Sequence, residues 1–209
     1  MKRDYEIPYI ENLTGDEKQV VIVAHGFDSS MKGPTAQMVL ENLPKVGIGA
    51  IAFDFPAHGE SPVEREFLSV ENCIKDLEAV ENYVREKCPQ AEICYFGSSF
   101  GAYITMLYLS RYPEKSGKAF LRSAAVNMHT LFKNPTGDHN LFELYRPGNS
   151  KAMMIHGTCD EDIDYEVAKA FSEKFDIPLI TVEGGDHRLS KEGMPEAVIM
   201  MAIEFYKEY

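Results

Sequence analysis

Residues 97–101 read Gly97-Ser98-Ser99-Phe100-Gly101, which is a G-x-S-x-G sequence. A short apolar run typical of a buried strand comes directly before them, and a segment with helical character follows. In so tight a turn the central serine is held in a strained backbone conformation, and side chains two positions before and after it would collide with their surroundings. The pattern therefore predicts a nucleophile elbow with Ser99 at its tip, in front of the positive end of a helix.

The length and composition predict one domain, spanning residues 1–209. The hydrophobic content of 44% is ordinary for a soluble globular protein, and no apolar run reaches the length of a membrane span. The charged N-terminus is not followed by an apolar stretch, so a secretion signal is not expected. These features favour a cytoplasmic protein.

The charge and the cysteines limit the partners that we expect. The net charge of −12 disfavours nucleic acid and anionic membrane surfaces as partners, because both carry negative charge themselves. The four cysteines form no C-x-x-C pair. Their pattern favours a reducing, cytoplasmic compartment and argues against a zinc site built from these residues. We expect neither a metal nor an organic cofactor.

Strands and helices alternate along the chain. The β-branched run at 20–24 is typical of a strand that is buried on both faces of a parallel sheet. The alternation predicts an α/β protein whose mostly parallel central sheet is covered by helices on both faces. Strands are expected at 5–10, 20–24, 47–55, 93–96, 119–126, 151–155 and 178–182, and helices at 35–43, 70–87, 102–111, 165–175 and 195–206.

Polar side chains with chemical potential come just after the predicted strands. They are His25, His58, Ser99, Asp160 and His187. Because the carboxyl ends of parallel strands share one edge of the sheet, we expect these residues to gather where such folds bind their ligands.

A serine hydroxyl needs a base within hydrogen-bonding reach, and that base is usually a histidine oriented by a carboxylate. His187 follows the last predicted strand and is the candidate base. The carboxylate should follow an earlier strand, and spacing alone leaves both Asp160 and Asp162 possible, with Asp160 ahead.

Four separate stretches resemble the motifs of the α/β-hydrolases, and the resemblance covers nearly the whole chain. The order of serine, aspartate and histidine is also that of the family. The closest similarity is to the compact serine esterases and to the monoacylglycerol-lipase-like or cinnamoyl-esterase-like branch. The stretches are His25-Gly26-Phe27, the segment from Asp54 to Ser61 with Ala57 where glycine is usual, the elbow at Ser99, and the pair formed by His156-Gly157-Thr158-Cys159-Asp160 and Gly185-Asp186-His187.

The resemblance assigns roles to individual residues. It implies that Asp160 is the acid of a catalytic triad with Ser99 and His187. It also implies an oxyanion hole formed by the backbone N–H groups of Phe27 and Phe100. His25 and His58 are then expected to brace loops through hydrogen bonds and to take no direct part in the chemistry.

The segment 127–150 lies where this family carries its lid. It contains prolines and glycines and short apolar pairs, and it predicts a small cap insert with one or two short helices over a fairly open site. Surface packing is an equal alternative for its apolar residues. The candidate substrate-binding residues are Phe27, Phe132, Leu141, Phe142 and Tyr145.

The resemblance implies a serine hydrolase that cleaves small carboxylic esters through an acyl-enzyme, and the small cap predicts a preference for short to medium acyl groups. A peptidase, a thioesterase or an acyltransferase with the same triad remains an alternative, as does a non-catalytic binding module. Dehalogenases and epoxide hydrolases of this fold carry aspartate at the elbow, so Ser99 argues against those reactions.

Overall fold

The computed structural model describes residues 1, 3–127 and 140–208. The strands are β1 (Tyr9–Asn12), β2 (Gln19–Ala24), β3 (Gly49–Phe53), β4 (Glu92–Ser98), β5 (Lys118–Arg122), β6 (Lys151–Gly157) and β7 (Leu179–Val182). The helices are α1 (Pro34–Asn42), α2 (Val70–Lys87), α3 (Phe100–Arg111), α4 (Leu141–Leu144), α5 (Tyr165–Phe175) and α6 (Met194–Lys207), with short 3-10 helices at Pro44–Val46 and Arg65–Phe67.

The seven strands form one sheet in the order β1-β3-β2-β4-β5-β6-β7. Only β1 is antiparallel to its neighbour, and the other six strands are parallel. The predicted mostly parallel sheet is therefore confirmed.

Helices cover both faces of the sheet, as predicted. Successive side chains of a strand point to opposite faces, so Val20 and Ile22 of β2 pack into a core that also receives α2, α3 and α5. Val21 and Val23 pack into a second core with α1 and α6. The unbroken apolar run of β2 is explained by these two cores. None of the helices in the described ranges is both long and apolar enough to cross a bilayer.

The bounds of all seven strands differ slightly from the predicted ones, and two of these differences have a clear physical cause. The first strand begins at Tyr9, because the preceding residues are fixed against α2, where Tyr5 and Arg3 both donate hydrogen bonds to the buried carboxylate of Asp76. The fifth strand ends at Arg122 and does not continue to residue 126, because Ser123 has a φ of 46°, which is outside the extended region.

The strand order reverses between β2 and β4. The chain passes from β2 to β3 on one side, whereas β4 lies on the other side of β2 and is followed outward by β5, β6 and β7. In open α/β sheets such a switch point leaves a crevice at the carboxyl ends of the strands. Gly26 follows β2 and Ser99 follows β4, so both residues lie at this crevice.

The predicted cap insert lies only partly within the described residues. Asn127 and Asn140 form an isolated antiparallel bridge, which brings the two ends of the intervening segment together. Residues 128–139, which include the candidate substrate-binding residue Phe132, lie outside the described residues. The described remainder of the insert contains the four-residue helix α4, capped by the side chain of Asn140.

Candidate active site

Ser99 stands at the turn between β4 and α3 in a strained conformation. Its φ is 52° and its ψ is −111°, values that a residue with a side chain rarely adopts. The backbone holds it there, since the Ser99 N–H donates to the carbonyl of Arg122 at 2.9 Å and the Ser99 carbonyl accepts from the N–H of Ala125 at 3.2 Å. The hydroxyl is thereby fixed at the carboxyl end of the sheet.

The glycines on either side of Ser99 are required by close backbone contacts. A Cβ atom on Gly97 would lie 2.6 Å from Cα of Ala102. A Cβ atom on Gly101 would overlap the carbonyl oxygen of Ala24 and lie 2.6 Å from that of His25. Both separations are shorter than real Cβ contacts, so the two glycines allow α3 to start directly against β2.

Ser99, His187 and Asp160 form one hydrogen-bonded chain. The hydroxyl oxygen of Ser99 lies 3.0 Å from Nε2 of His187. Both carboxylate oxygens of Asp160 lie 2.9 Å from Nδ1 of the same ring. Because an ionised carboxylate can only accept, the proton of a neutral imidazole is assigned to Nδ1, which leaves Nε2 free to accept the proton of Ser99.

The Asp160 carboxylate is buried and receives several hydrogen bonds. The backbone N–H groups of Asp162 and Ile163 donate to it at 3.0 and 2.8 Å, and Nε2 of His156 lies 3.0 Å from it. Burial alone would raise the pKa of Asp160, but the hydrogen bonds from His156, His187 and Ile163 hold that pKa well below its usual range. Asp160 is therefore ionised at neutral pH.

The geometry favours Asp160 over the alternative carboxylate. Asp162 approaches His187 only at Nε2, on the side of the ring that faces Ser99, and at 3.8 Å. Its side chain is 67% exposed, whereas that of Asp160 is fully buried. A carboxylate at Nε2 cannot orient the proton on Nδ1.

The two residues predicted to provide the oxyanion hole lie side by side near Ser99. A Cβ atom on Gly26 would lie 3.5 Å from Cβ of Ser99, so the loop after β2 contacts the elbow directly. The rings of Phe27 and Phe100 meet edge to face, with their centroids 5.7 Å apart. Asp54 fixes this loop, because its carboxylate accepts from the N–H groups of Met31 and Glu60, both at 2.7 Å.

His25 and His58 form hydrogen bonds within these loops. Nδ1 of His25 donates to the carbonyl of Gly26 at 2.7 Å, and Nε2 accepts from the N–H of Phe55 at 3.1 Å. Burial lowers the pKa of His25 to about 4, so the ring is neutral at physiological pH. Nδ1 of His58 lies 2.9 Å from the carbonyl oxygen of Pro56. These bonds are what bracing histidines would form.

A cavity of about 1100 Å³ contains the hydroxyl of Ser99 and the imidazole of His187. Its wall includes Phe27 and polar residues of the loop after β2. Its apolar part runs inward between the sheet and the helices α1 and α6, and is formed by Val23, Met38, Phe96, Leu189, Val198 and Ile199. The cavity has the size and mixed polarity of a site for a small organic molecule.

Three predicted substrate-binding residues point elsewhere. Leu141 is fully buried in the core beside α3, and Phe142 and Tyr145 pack their rings against Phe171 of α5 at 5.3 and 5.6 Å between centroids. None of the three is among the described residues that line the cavity. Packing against α3 and α5 therefore accounts for these three side chains, although Leu141 and Tyr145 are buried and do not lie at the surface. Of the predicted substrate-binding residues that the structure describes, only Phe27 lines the cavity.

Two residues near the site were given no role by sequence reasoning. His156 is fully buried and contacts Asp160. Arg122 is buried at the end of β5, and its guanidinium contacts Ser98. The only signal for Arg122 is a cation at the end of a strand whose three central residues are apolar.

Comparisons with known proteins identify the family and the fold. Residues 15–147 match the family model described as Serine aminopeptidase, S33. A comparison with curated protein sequences gives no match.

Solved structures of low sequence identity share the fold. Est1E from Butyrivibrio proteoclasticus, solved with ferulic acid, has a TM-score of 0.78 at 18% identity and covers 97% of this chain and 96% of its own. A monoacylglycerol lipase from Paleococcus ferrophilus has a TM-score of 0.76 at 18% identity, covering 97% and 98%. A serine hydrolase without a lid from Xanthomonas campestris has a TM-score of 0.74 at 19% identity, covering 97% and 90%.

Proposed function

This chain belongs to the serine aminopeptidase S33 family of α/β-hydrolases, and on that premise we propose that it cleaves carboxylic esters through an acyl-enzyme. The predicted α/β-hydrolase fold and the serine-hydrolase class are confirmed. The single observation that carries the proposed reaction is the hydrogen-bonded chain from Ser99 through His187 to Asp160.

In the first half of the proposed reaction, Ser99 Oγ attacks the carbonyl carbon of the ester. Nε2 of His187, which lies 3.0 Å from Oγ, takes the hydroxyl proton as the new C–O bond forms. The imidazolium that results is stabilised by the ionised Asp160. When the tetrahedral intermediate collapses, the alcohol leaves with the proton that His187 returns, and the acyl group stays on Ser99.

We assign the oxyanion of the tetrahedral intermediate to the backbone N–H groups of Phe27 and Phe100. The support is the contact between these two residues and the close approach of Gly26 to Ser99. Each such donor lowers the barrier by about 3 kcal/mol in serine hydrolases. Because the donors belong to the backbone, their loss cannot be tested by simple side-chain truncation.

The second half of the reaction repeats the same chemistry with water. His187 takes a proton from water, the resulting hydroxide attacks the acyl carbon, and collapse releases the carboxylic acid and returns the proton to Ser99 Oγ. The ester, water, the three side chains and the two backbone N–H groups suffice for this sequence.

We favour esters over other acyl substrates because of what the names of two structural relatives say that they bind or act on. Est1E was solved with ferulic acid, and another relative is a monoacylglycerol lipase. The family description names an aminopeptidase, which makes amide bonds the second candidate. Hydrolysis of thioesters requires the same acyl-enzyme, so thioesters are included in the substrate panel below. Acyl transfer to acceptors other than water would start from the same intermediate.

The test is a substrate panel measured with the wild-type protein and with Ser99→Ala. It contains 4-nitrophenyl esters from acetate to palmitate, the matched thioesters and aminoacyl 4-nitroanilides. We expect turnover of esters, fastest with short to medium acyl groups, and no turnover by Ser99→Ala. Faster hydrolysis of the anilides would favour the aminopeptidase, and faster hydrolysis of palmitate than of butyrate esters would contradict the chain-length preference.

A further inference from the structure

Arg122 places a buried positive charge next to the elbow. It is 8% exposed and ends β5, where it pairs in register with Ser98 of β4. Its Nε and Nη2 atoms both donate to the hydroxyl of Ser98, at 2.9 and 2.6 Å. Its Nη1 atom donates to the carbonyl of Arg188, the residue after His187. The guanidinium thus lies between the strand that carries Ser99 and the loop that carries His187.

This charge lacks a counter-ion within contact distance. In the described ranges no carboxylate oxygen lies within 4 Å of the guanidinium, although Asp160 and Asp186 act on it from farther away. A guanidinium has five N–H groups, and three are used here, which leaves one on each terminal nitrogen without an acceptor among the described residues. Burial without a paired anion is costly for a charged group.

Arg122 remains a cation under all relevant conditions. Burial lowers the pKa of Arg122 to about 10, which is still well above neutral pH. The side chain also lines the same cavity as Ser99 and His187. The cavity therefore carries a fixed positive charge in its interior.

The other cations of the cavity wall are different. Lys32 and Arg188 are both exposed, and Lys32 is already ion-paired with Glu60. The exposed part of the wall also carries the carboxylates Asp28 and Asp162. An anion is therefore not favoured at the rim of the site, but it is favoured at Arg122.

We propose that Arg122 binds a carboxylate on the acyl group of the substrate, so that the preferred substrates are monoesters of short dicarboxylic acids. The proposal rests on the proposed ester hydrolysis. A guanidinium with open N–H groups on both terminal nitrogens is suited to a carboxylate. The acyl side is chosen because the acyl group stays on Ser99, in the interior next to Arg122, whereas the alcohol leaves past a rim that carries carboxylates of its own. The carbonyl of Arg122 accepts a hydrogen bond from the N–H of Ser99, so the two residues are neighbours in the fold. A short acyl chain on Ser99 is therefore enough to bring its carboxylate to the guanidinium.

The test compares two esters that differ only in charge. Monomethyl glutarate carries a carboxylate, and methyl 4-carbamoylbutanoate carries the isosteric neutral amide. We expect wild-type kcat/KM to favour the carboxylate by about tenfold or more, the size of one charge-assisted hydrogen bond. The succinate and adipate homologues identify the best chain length. Arg122→Gln should lose the preference, and the matched control Lys32→Gln should retain it.

Equal kcat/KM for the charged and neutral esters at all three chain lengths would overturn the proposal, as would an undiminished preference in Arg122→Gln. Arg122→Gln removes buried hydrogen bonds, so the folding of this variant is checked by circular dichroism. If the variant is unfolded, the ratio of wild-type kcat/KM for the charged and neutral esters decides whether the proposal holds. Titration of Ser99→Ala with the same two esters by calorimetry needs no turnover. If the wild type hydrolyses neither these esters nor the 4-nitrophenyl esters, the proposed function fails, whereas tighter binding of the carboxylate to Ser99→Ala would still support the anion site at Arg122.

Discussion

Nε2 of His156 lies 3.0 Å from Oδ2 of Asp160, so a second histidine holds the carboxylate that faces His187. The same nitrogen lies 3.0 Å from the carbonyl oxygen of Ile163, which requires it to carry the proton. Both side chains of the pair are fully buried. We therefore expect His156 to position Asp160 without touching the reacting atoms.

Replacing His156 by leucine should lower turnover without abolishing it. The substitution removes one hydrogen bond to a buried charge, worth about 1.5–3 kcal/mol, and we expect kcat to fall by about tenfold or more with KM little changed. His156→Gln, which keeps an N–H donor of similar reach, should recover part of the loss. Equal kcat values for His156→Leu, His156→Gln and the wild type would show that Asp160 is positioned without His156.

Asp160→Asn should reduce kcat/KM for a short ester by about ten-thousand-fold, as loss of the orienting carboxylate does in other serine hydrolases. The neutral amide cannot hold the proton of His187 on Nδ1 or stabilise the imidazolium. The matched control is Asp162→Asn, in which an exposed carboxylate two residues away is lost, and it should change kcat/KM by less than about tenfold. A larger loss of kcat/KM in Asp162→Asn than in Asp160→Asn would show that Asp162, and not Asp160, is the acid.

Gly101→Ala should destabilise the protein although alanine is the better helix former. An exposed glycine in a helix would gain about 1 kcal/mol from this change, but here the new methyl group would overlap the carbonyl of Ala24. We expect a loss of about 3 kcal/mol or more in the free energy of unfolding by urea. Gly47→Ala is the control, since nothing lies within 4 Å of its Cβ position and only its φ of 81° opposes the change. Unfolding of Gly101→Ala at the wild-type midpoint would show that α3 can move away from β2.

Acid should weaken the protein partly through Glu17. Burial opposes its ionisation, but hydrogen bonds from the N–H and hydroxyl of Thr14 and from Cys88 lower the pKa of Glu17 to about 2. Because the folded-state pKa lies below the ordinary value of about 4.3, the ionised group adds stability above that value, and the gain is lost as pH falls toward 2. Glu17→Gln should therefore unfold more easily than the wild type at pH 7, with the difference narrowing between pH 5 and 2.5. If the difference in unfolding free energy between Glu17→Gln and the wild type stays constant with pH, the charge of Glu17 does not stabilise the turn from Thr14 to Glu17.

The parts of the fold that sequence could predict are those with a local signal. Both ends of α2 were predicted correctly, and the side chain of Ser69 caps its first turn. The elbow was predictable because its constraint is local, with a strained residue at position 99 and glycines at positions 97 and 101.

The parts that sequence could not predict depend on contacts between distant segments. Tyr5 and Arg3 are held by Asp76 of α2, and no local pattern indicates that this contact displaces the first strand. Tyr145 resembles a pocket residue in sequence, yet the rings of α5 bury it. A cation at the end of β5 does not indicate that Arg122 faces the same cavity as Ser99.

The most direct test of the account is to treat the protein with a fluorophosphonate probe and to measure its intact mass. We expect addition of one phosphonyl group, mapped by peptide sequencing to Ser99 and absent from Ser99→Ala. Labelling should be much slower in His187→Ala, because only a hydroxyl next to an accepting imidazole reacts readily. An unlabelled wild-type protein, or labelling that persists in Ser99→Ala, would contradict it.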